Sequence, residues 1–462
     1  MIYKTIKILL ILKLICFSLV QAQQLAFPTA QGFGKFTNGG RGGKVYIVTN
    51  LNDDGEGSFR IAATAKQPRI IVFEVSGTIH LKSTIEISKN VTIAGQTALG
   101  HGICFADYPV SLAGDNIIVR YLRFRMGDRN QNIGMVNGAG GDDAFGGNGR
   151  KNIIVDHCSI SWSTDEVMSL YRGDSTTLQW NILSEPLNYS YHFETGDKDF
   201  ENHGYGGIWG GAHLSAHHNL FAHCASRNPR FNGVRLGASE ELVDFRNNVI
   251  YNWAHNNVYG GEGGNYNMVN NYYKYGPITN ENVKSRIVNP SKGESGIGKF
   301  YVAGNFVDGA EDVTINNELG VHLDKETTDL EKQKALIKTP FQVIILNEKS
   351  AVLAYADVLK SAGASLRRDT LDQRIINNVK DRTGNLIDVQ GRFKHGTSYK
   401  KTVNAWPNLK AKKPKKDKDR DGMPDVWERK NGLNSAVNDA SLINEISGYS
   451  NIEMYLNKLT NE

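Results

Sequence analysis

The sequence predicts an all-β fold: a right-handed, single-stranded parallel β-helix with a small helical C-terminal extension. Three observations carry that expectation. Helical periodicity is nearly absent between residues 25 and 310. Short strand-like runs recur there instead, and most are followed closely by an asparagine: TTLQWNIL, AHLSAHHNLF, ELVDFRNNVI, YNMVNNYY and KFYVAGNFV, carrying Asn181, Asn219, Asn248, Asn271 and Asn305. Those asparagines are 38, 29, 23 and 34 residues apart, a base period in the low twenties with insertions.

An imperfect repeat of short strands marks a stacked architecture, because each unit must bury its apolar side on the next. Coils of a β-helix fit the short period. Asparagine at a recurrent bend suits them, since it tolerates the left-handed region and bonds neighbouring backbone. NIIVDHCSI lies one period earlier, with NVTIAGQTA and NIIVRYLRF before it. An antiparallel sandwich needs hairpin dipeptides between strands, and these are missing.

In chain order, residues 1–22 (MIYKTIKILLILKLICFSLVQA) read as a secretory leader, with lysines before an apolar run and a small-residue cleavage site after it. No later segment is long and apolar enough to span a membrane, so the reading is an exported monomer. Residues 23–405 form the β-helix domain, with a helical tail from about 320; within it SAVLAYADVLKSAGAS (350–365) reads as an amphipathic helix ended by Gly363. Residues 406–416 read as a basic linker that few contacts cross, and 417–462 as a calcium loop with a closing helix. Cys104, Cys158 and Cys224 form no regular disulfide pattern and read as small buried hydrophobes. The formal charge of +5 says nothing of a partner: three lysines lie in the leader, and residues 410–421 hold seven bases against three acids. No nucleic-acid partner is implied.

Two constellations point to chemistry. GGDDAF supplies Asp142 and Asp143, and VDHCSISWSTDEV supplies Asp156, His157, Asp165 and Glu166. On successive coils, Asp143 and Asp165 approach to about one strand spacing, ~4.8 Å. Clustered carboxylates repel unless a cation sits among them, and oxygen-only ligands suit Ca²⁺. Asp156–His157, inside an apolar strand, reads equally as a structural or a catalytic pair. The second constellation is SRNPRF, where Arg227 and Arg230 flank a stiff Asn-Pro turn within two coils of the acids. Arginine beside calcium is explained if both grip one polyanion, since guanidinium binds carboxylate bidentately.

Together VTNLNDDGEGSFR, TIAGQTA, GDDAF, VDHCSISWSTDEV, HHNLF and SRNPRF resemble, in order, the pectate lyases of polysaccharide lyase family 1, over roughly residues 25–310. ADVLKSAGASLRRDTLDQR is similar to the tail of bacterial members. The resemblance implies a right-handed parallel β-helix that cleaves polygalacturonate, an acidic plant polysaccharide, by calcium-assisted β-elimination. It implies that Arg227 abstracts the C5 proton and that Asp143 and Asp165, with Asp142 and Glu166 beside them, bind calcium. There are departures. Ser169 stands where the family carries a further acidic ligand. Asn232 stands where it carries a second arginine, leaving Arg230 or Arg235 to serve. No lysine is in register in NHGYGGIWGG, leaving His203 or Lys198 to bind substrate.

DKDRDGMPDVWE (417–428) places Asp417, Asp419, Asp421, Gly422, Asp425 and Glu428 at positions 1, 3, 5, 6, 9 and 12 of a calcium loop. Its expected role is structural. Two other functions compete with the lyase: a β-helical hydrolase of the polygalacturonase kind, which needs acids flanking the scissile bond, and a non-catalytic carbohydrate-binding β-helix.

Overall fold

Each turn of the chain contributes up to three short strands, and each strand pairs in parallel with its counterpart one turn on. A computed structural model describes residues 23–129, 142–192, 199–323, 327–344 and 347–460; the leader and Lys198 lie outside these. One face runs from Lys44–Val48 to Lys299–Ala303, with Thr176, Leu214, Val243, Tyr266 and Phe300 in register across successive turns. The second is a nine-stranded parallel sheet from Gly77–His80 to Phe306–Val307. The third runs from Ile85–Ile87 to Val288–Pro290. The architecture is a parallel β-helix.

The asparagine ladder is present and buried. The Asn181 N–H donates to Asn219 Oδ1 at 3.0 Å, and the same bond links Asn219 to Asn248, Asn248 to Asn271 and Asn271 to Asn305. Each Nδ2 also donates to a main-chain carbonyl, as from Asn248 to Ala216 O at 2.9 Å. One part of the expectation is corrected. The left-handed conformation belongs to the residue before each ladder asparagine: Trp180, His218, Asn247, Asn270 and Gly304, with φ of 57, 56, 53, 54 and 67°. The bend is made there, which frees the asparagine side chain to satisfy buried backbone groups of the adjoining coils.

Inside, apolar residues stack turn on turn. Phe59, Phe105, Phe124 and Phe145 form a column with ring centroids 4.4, 5.4 and 4.2 Å apart. Cys104, Cys158 and Cys224 are buried free thiols, as expected. Burial pushes Cys104 and Cys158 up to about 12, which suppresses thiolate chemistry.

The helical tail lies outside the second face. Helix Ala351–Ser361 starts at the Ser350 cap, and Gly363 follows its end with φ +81°. With helix Thr370–Asp381 it covers Cys104, Ile182, Leu220 and Val249. Arg123 and Arg125, both buried in the sheet, pair with Asp369 and Asp372 at the start of that second helix; Arg125 reaches Asp372 at 2.8 Å.

The basic stretch 406–416 is not a free linker. Trp406 and Leu409 are buried, Ala411 pairs antiparallel with Gly100, and Lys412 N–H donates to Leu99 O at 2.9 Å. The exposed lysines hide this in the sequence, because the backbone and two apolar side chains make the contacts. Beyond it, Met423, Ala440, Ile452, Tyr455 and Leu456 pack on Ile70, Val72 and Ala94 of the first face.

Candidate active site

Four successive turns enter the third face at the same height. Asp143 precedes strand Phe145–Asn148, and Phe145 pairs with Met168, which places Asp143 beside Glu166. Glu166 bridges to Tyr205, and Tyr205 to Ser226, next to Arg227. The coil period therefore stacks Asp143, Glu166, Tyr205 and Ser226 about one strand spacing apart, with Arg227 directly after Ser226. Gly206 permits the last approach: a Cβ there would stand 2.3 Å from the Arg227 carbonyl oxygen.

Asp143, Asp165 and Glu166 each offer an oxygen within 4.8 Å of the others. Glu166 is buried and pairs with the Arg227 guanidinium, which also lies over the Tyr205 ring, 4.7 Å from its centroid. Arg227 itself holds φ +55° ahead of the Asn228–Pro229 turn and keeps a partly exposed side chain. Burial and the Asp165 charge lift the Asp143 carboxyl well above the usual range, against a Ser169 hydroxyl that bonds its charged form. Burial lifts Asp165 too, but the bond from His203 and the charge of Arg227 outweigh it and hold Asp165 low. Three oxygen donors crowded together, two of them answered among the described residues by Arg227 and His203, fit a hard divalent cation.

The other expected residues divide. Asp142 is outside the three-acid group; its N–H meets the Thr164 hydroxyl at 3.2 Å and its carbonyl accepts from Asp165 N–H. Ser169, in place of an acid, is buried beside Asp143, and its Oγ accepts from Ile208 N–H at 3.1 Å. His203 is corrected: it is buried, and its Nε2 lies 2.6 Å from Asp165 Oδ1, so it holds a carboxylate and does not face a substrate. Arg230 is likewise engaged, at 2.6 Å from Glu262. Arg235 is half-buried and, among the described residues, makes no ion pair; its Nε donates to Asn232 O at 2.7 Å. Asn232 is fully buried and turns its amide onto the backbone. Of the substitutes for the family's second arginine, Arg235 is therefore the available cation. Asp156–His157 resolves as structural: Arg120, His157 and Gln179 all bond the buried Asp156 at 2.8 Å.

Tyr205 and His192 were not expected. His192 stacks on His203, ring centroids 3.9 Å apart, and joins Asp165 and His203 in a second compact group. The signal for Tyr205 was present in the coil period, one turn before Ser226 and Arg227; His192 sits in an insertion and carries no such register.

The C-terminal loop also assembles. Asp417, Asp419 and Asp421 form one close group, and Asp421, Glu428 and Asp439 another. Asp425 stands in neither. Its Oδ1 accepts from Lys418 N–H at 2.7 Å, bracing the loop from within.

Fold and site define a β-helical protein that gathers carboxylates and a guanidinium on one outer face. No family model matches the chain. A probable pectate lyase C of Aspergillus fumigatus is 34% identical over 466 residues, covering 97% of each chain. One of Aspergillus flavus is 36% identical over 463 residues, covering 96% of each. A solved pectate lyase bound to a hexasaccharide aligns over 75% of this chain and 99% of its own, at 15% identity and a TM-score of 0.48. The chain belongs to the pectate lyase family.

Proposed function

We propose that the protein is an exported lyase that cleaves polygalacturonate by β-elimination. The observation that carries the reading is the convergence of Asp143, Asp165, Glu166 and Arg227 on one face of four successive coils. Asp143, Asp165 and Glu166 would hold a calcium ion, and the chemistry it would supply is withdrawal of charge from a uronate carboxylate, which acidifies the adjacent C5 proton. The chain's own groups supply the rest. Arg227, after its guanidinium has released a proton to solvent, takes the C5 proton; the electron pair left behind forms the C4–C5 double bond as the C4–oxygen bond breaks, and the departing oxygen takes up a proton from water. Arginine is ordinarily a poor base, so this role rests on family membership and on its placement beside the acids. Tyr205 supports the guanidinium from below through its ring face. Arg235, free of a carboxylate partner among the described residues, is the group that grips a further uronate.

The hydrolase reading lacks support. Its acids must be separated to flank a sugar bond, whereas these are crowded and answered by Arg227 and His203. Only elimination creates a conjugated double bond, so ultraviolet absorbance of a polygalacturonate digest tests the proposal. Absorbance is expected to rise in calcium and to stop on exhaustive chelation. Full turnover in chelator would overturn the metal assignment, and no rise in any condition would overturn the lyase.

A further inference from the structure

Outside the catalytic face, the molecule holds a second gathering of carboxylates. Asp417, Asp419 and Asp421 offer oxygens within 4.8 Å of one another, and so do Asp421, Glu428 and Asp439, with Asp421 common to both. Carboxylates in such contact are normally separated or paired with cations. Glu428 is fully buried, and neither of its oxygens has a hydrogen-bond partner; Asp421 is fully buried with Oδ2 unmatched. Neither makes an ion pair among the described residues, so burying them is strongly unfavourable unless a cation is supplied. The backbone is already wrapped around the centre. Asp417 accepts from the N–H groups of Arg420, Asp421 and Gly422, at 2.8, 3.3 and 2.9 Å.

Asp439 lies outside the twelve-residue loop, and it links the loop's acids to the C-terminal helix. Its Oδ1 and main-chain oxygen both accept from Asn451 Nδ2, at 3.1 and 3.0 Å, at the start of helix Asn451–Leu459. That helix packs Ile452 and Leu456 on Ile70 and Val72 of the first coils. The loop touches the same place. Gly422, φ +93°, lies so close that a Cβ would stand 3.0 Å from Val45 and 3.1 Å from Val72. Arg420 pairs with Glu74 at 3.3 Å.

We infer that Asp417, Asp419, Asp421, Glu428 and Asp439 hold one hard divalent cation, with calcium the fit for an all-oxygen set, and that this ion clamps the C-terminal segment to the first coils of the β-helix. Asp425 is not a direct ligand. The clamp is independent of the lyase reading, because it involves none of the residues of the catalytic face.

Calorimetric titration of chelator-stripped full-length protein with Ca²⁺, followed by thermal melting, tests it. The Asp165→Asn background is used throughout, to weaken binding at the catalytic face. The parent is expected to bind calcium and melt at a higher temperature when loaded. Glu428→Gln abolishes that binding event and that rise. Asp439→Asn weakens the affinity by at least about tenfold, since it removes one ligand charge. Asp425→Asn, which keeps an acceptor for Lys418 N–H, changes it by less than about threefold. Circular dichroism confirms that each variant is folded; if Asp439→Asn does not fold, Asn451→Ala, which releases Asp439, is expected to show the weakened affinity in its place. Unaltered affinity in Asp439→Asn overturns the ligand set, unaltered affinity in Glu428→Gln overturns the site, and calcium binding without a rise in melting overturns the clamp.

Discussion

Arg227→Ala is expected to lower turnover on polygalacturonate by about 10²–10⁴-fold, the usual contribution of a positioned general base. Among the described residues, neither neighbouring arginine is placed to take the C5 proton instead. Arg230 is held by Glu262, and Arg235 is turned back onto Asn232 O. Truncation to alanine also leaves the buried Glu166 without its cation, so part of the effect is on the acid cluster. Arg227→Lys separates the two. Lysine restores a positive charge beside Glu166 but lacks the planar fork and its reach, so most of the rate loss persists while melting returns to the parent value. Steady-state kinetics at saturating calcium read the outcome. Activity within about tenfold of the parent in Arg227→Ala would remove the residue from the chemistry.

Deleting residues 410–462 is expected to act on stability and to spare the chemistry. Every residue assigned to the catalytic face lies between 142 and 235, and none is among the residues the segment packs on. The deletion strips Met423, Ile452, Tyr455 and Leu456 from Ile70, Val72 and Ala94, and removes the strand-like pairing of Ala411 with Gly100. A buried aliphatic side chain contributes about 1.5–3 kcal/mol, so the loss is of several kcal/mol, with an apolar patch left on the first coils. Melting falls by several degrees, while turnover per folded molecule at low temperature matches the full chain. An unchanged melting temperature would show that the segment is only tethered. A collapsed rate in a folded truncation would show that it builds part of the catalytic face.

The fold was legible because a coil repeats. The spacing of Asn181, Asn219, Asn248, Asn271 and Asn305 registers a ladder that must be satisfied turn after turn. The same period leads from Asp143 to Glu166, and an insertion before Tyr205 breaks it on the way to Arg227. What the sequence hid lies where contacts are not periodic. His203 looked available for substrate because its partner Asp165 comes from another coil. The lysines of 410–416 masked a backbone pairing with residues 99–101, which leaves no side-chain pattern. Asp425 matched a loop position by spacing, but Lys418 N–H claims its carboxylate and Asp439 takes the nearer place.

The mass of the products tests the central claim most directly. Polygalacturonate of defined length is digested by the full-length protein in calcium, and the fragments are weighed by mass spectrometry. Elimination adds no atoms, so the two fragments from each cut sum to the mass of the parent chain, and one carries an unsaturated end. Fragments that together exceed the parent by one water would identify hydrolysis and contradict the account.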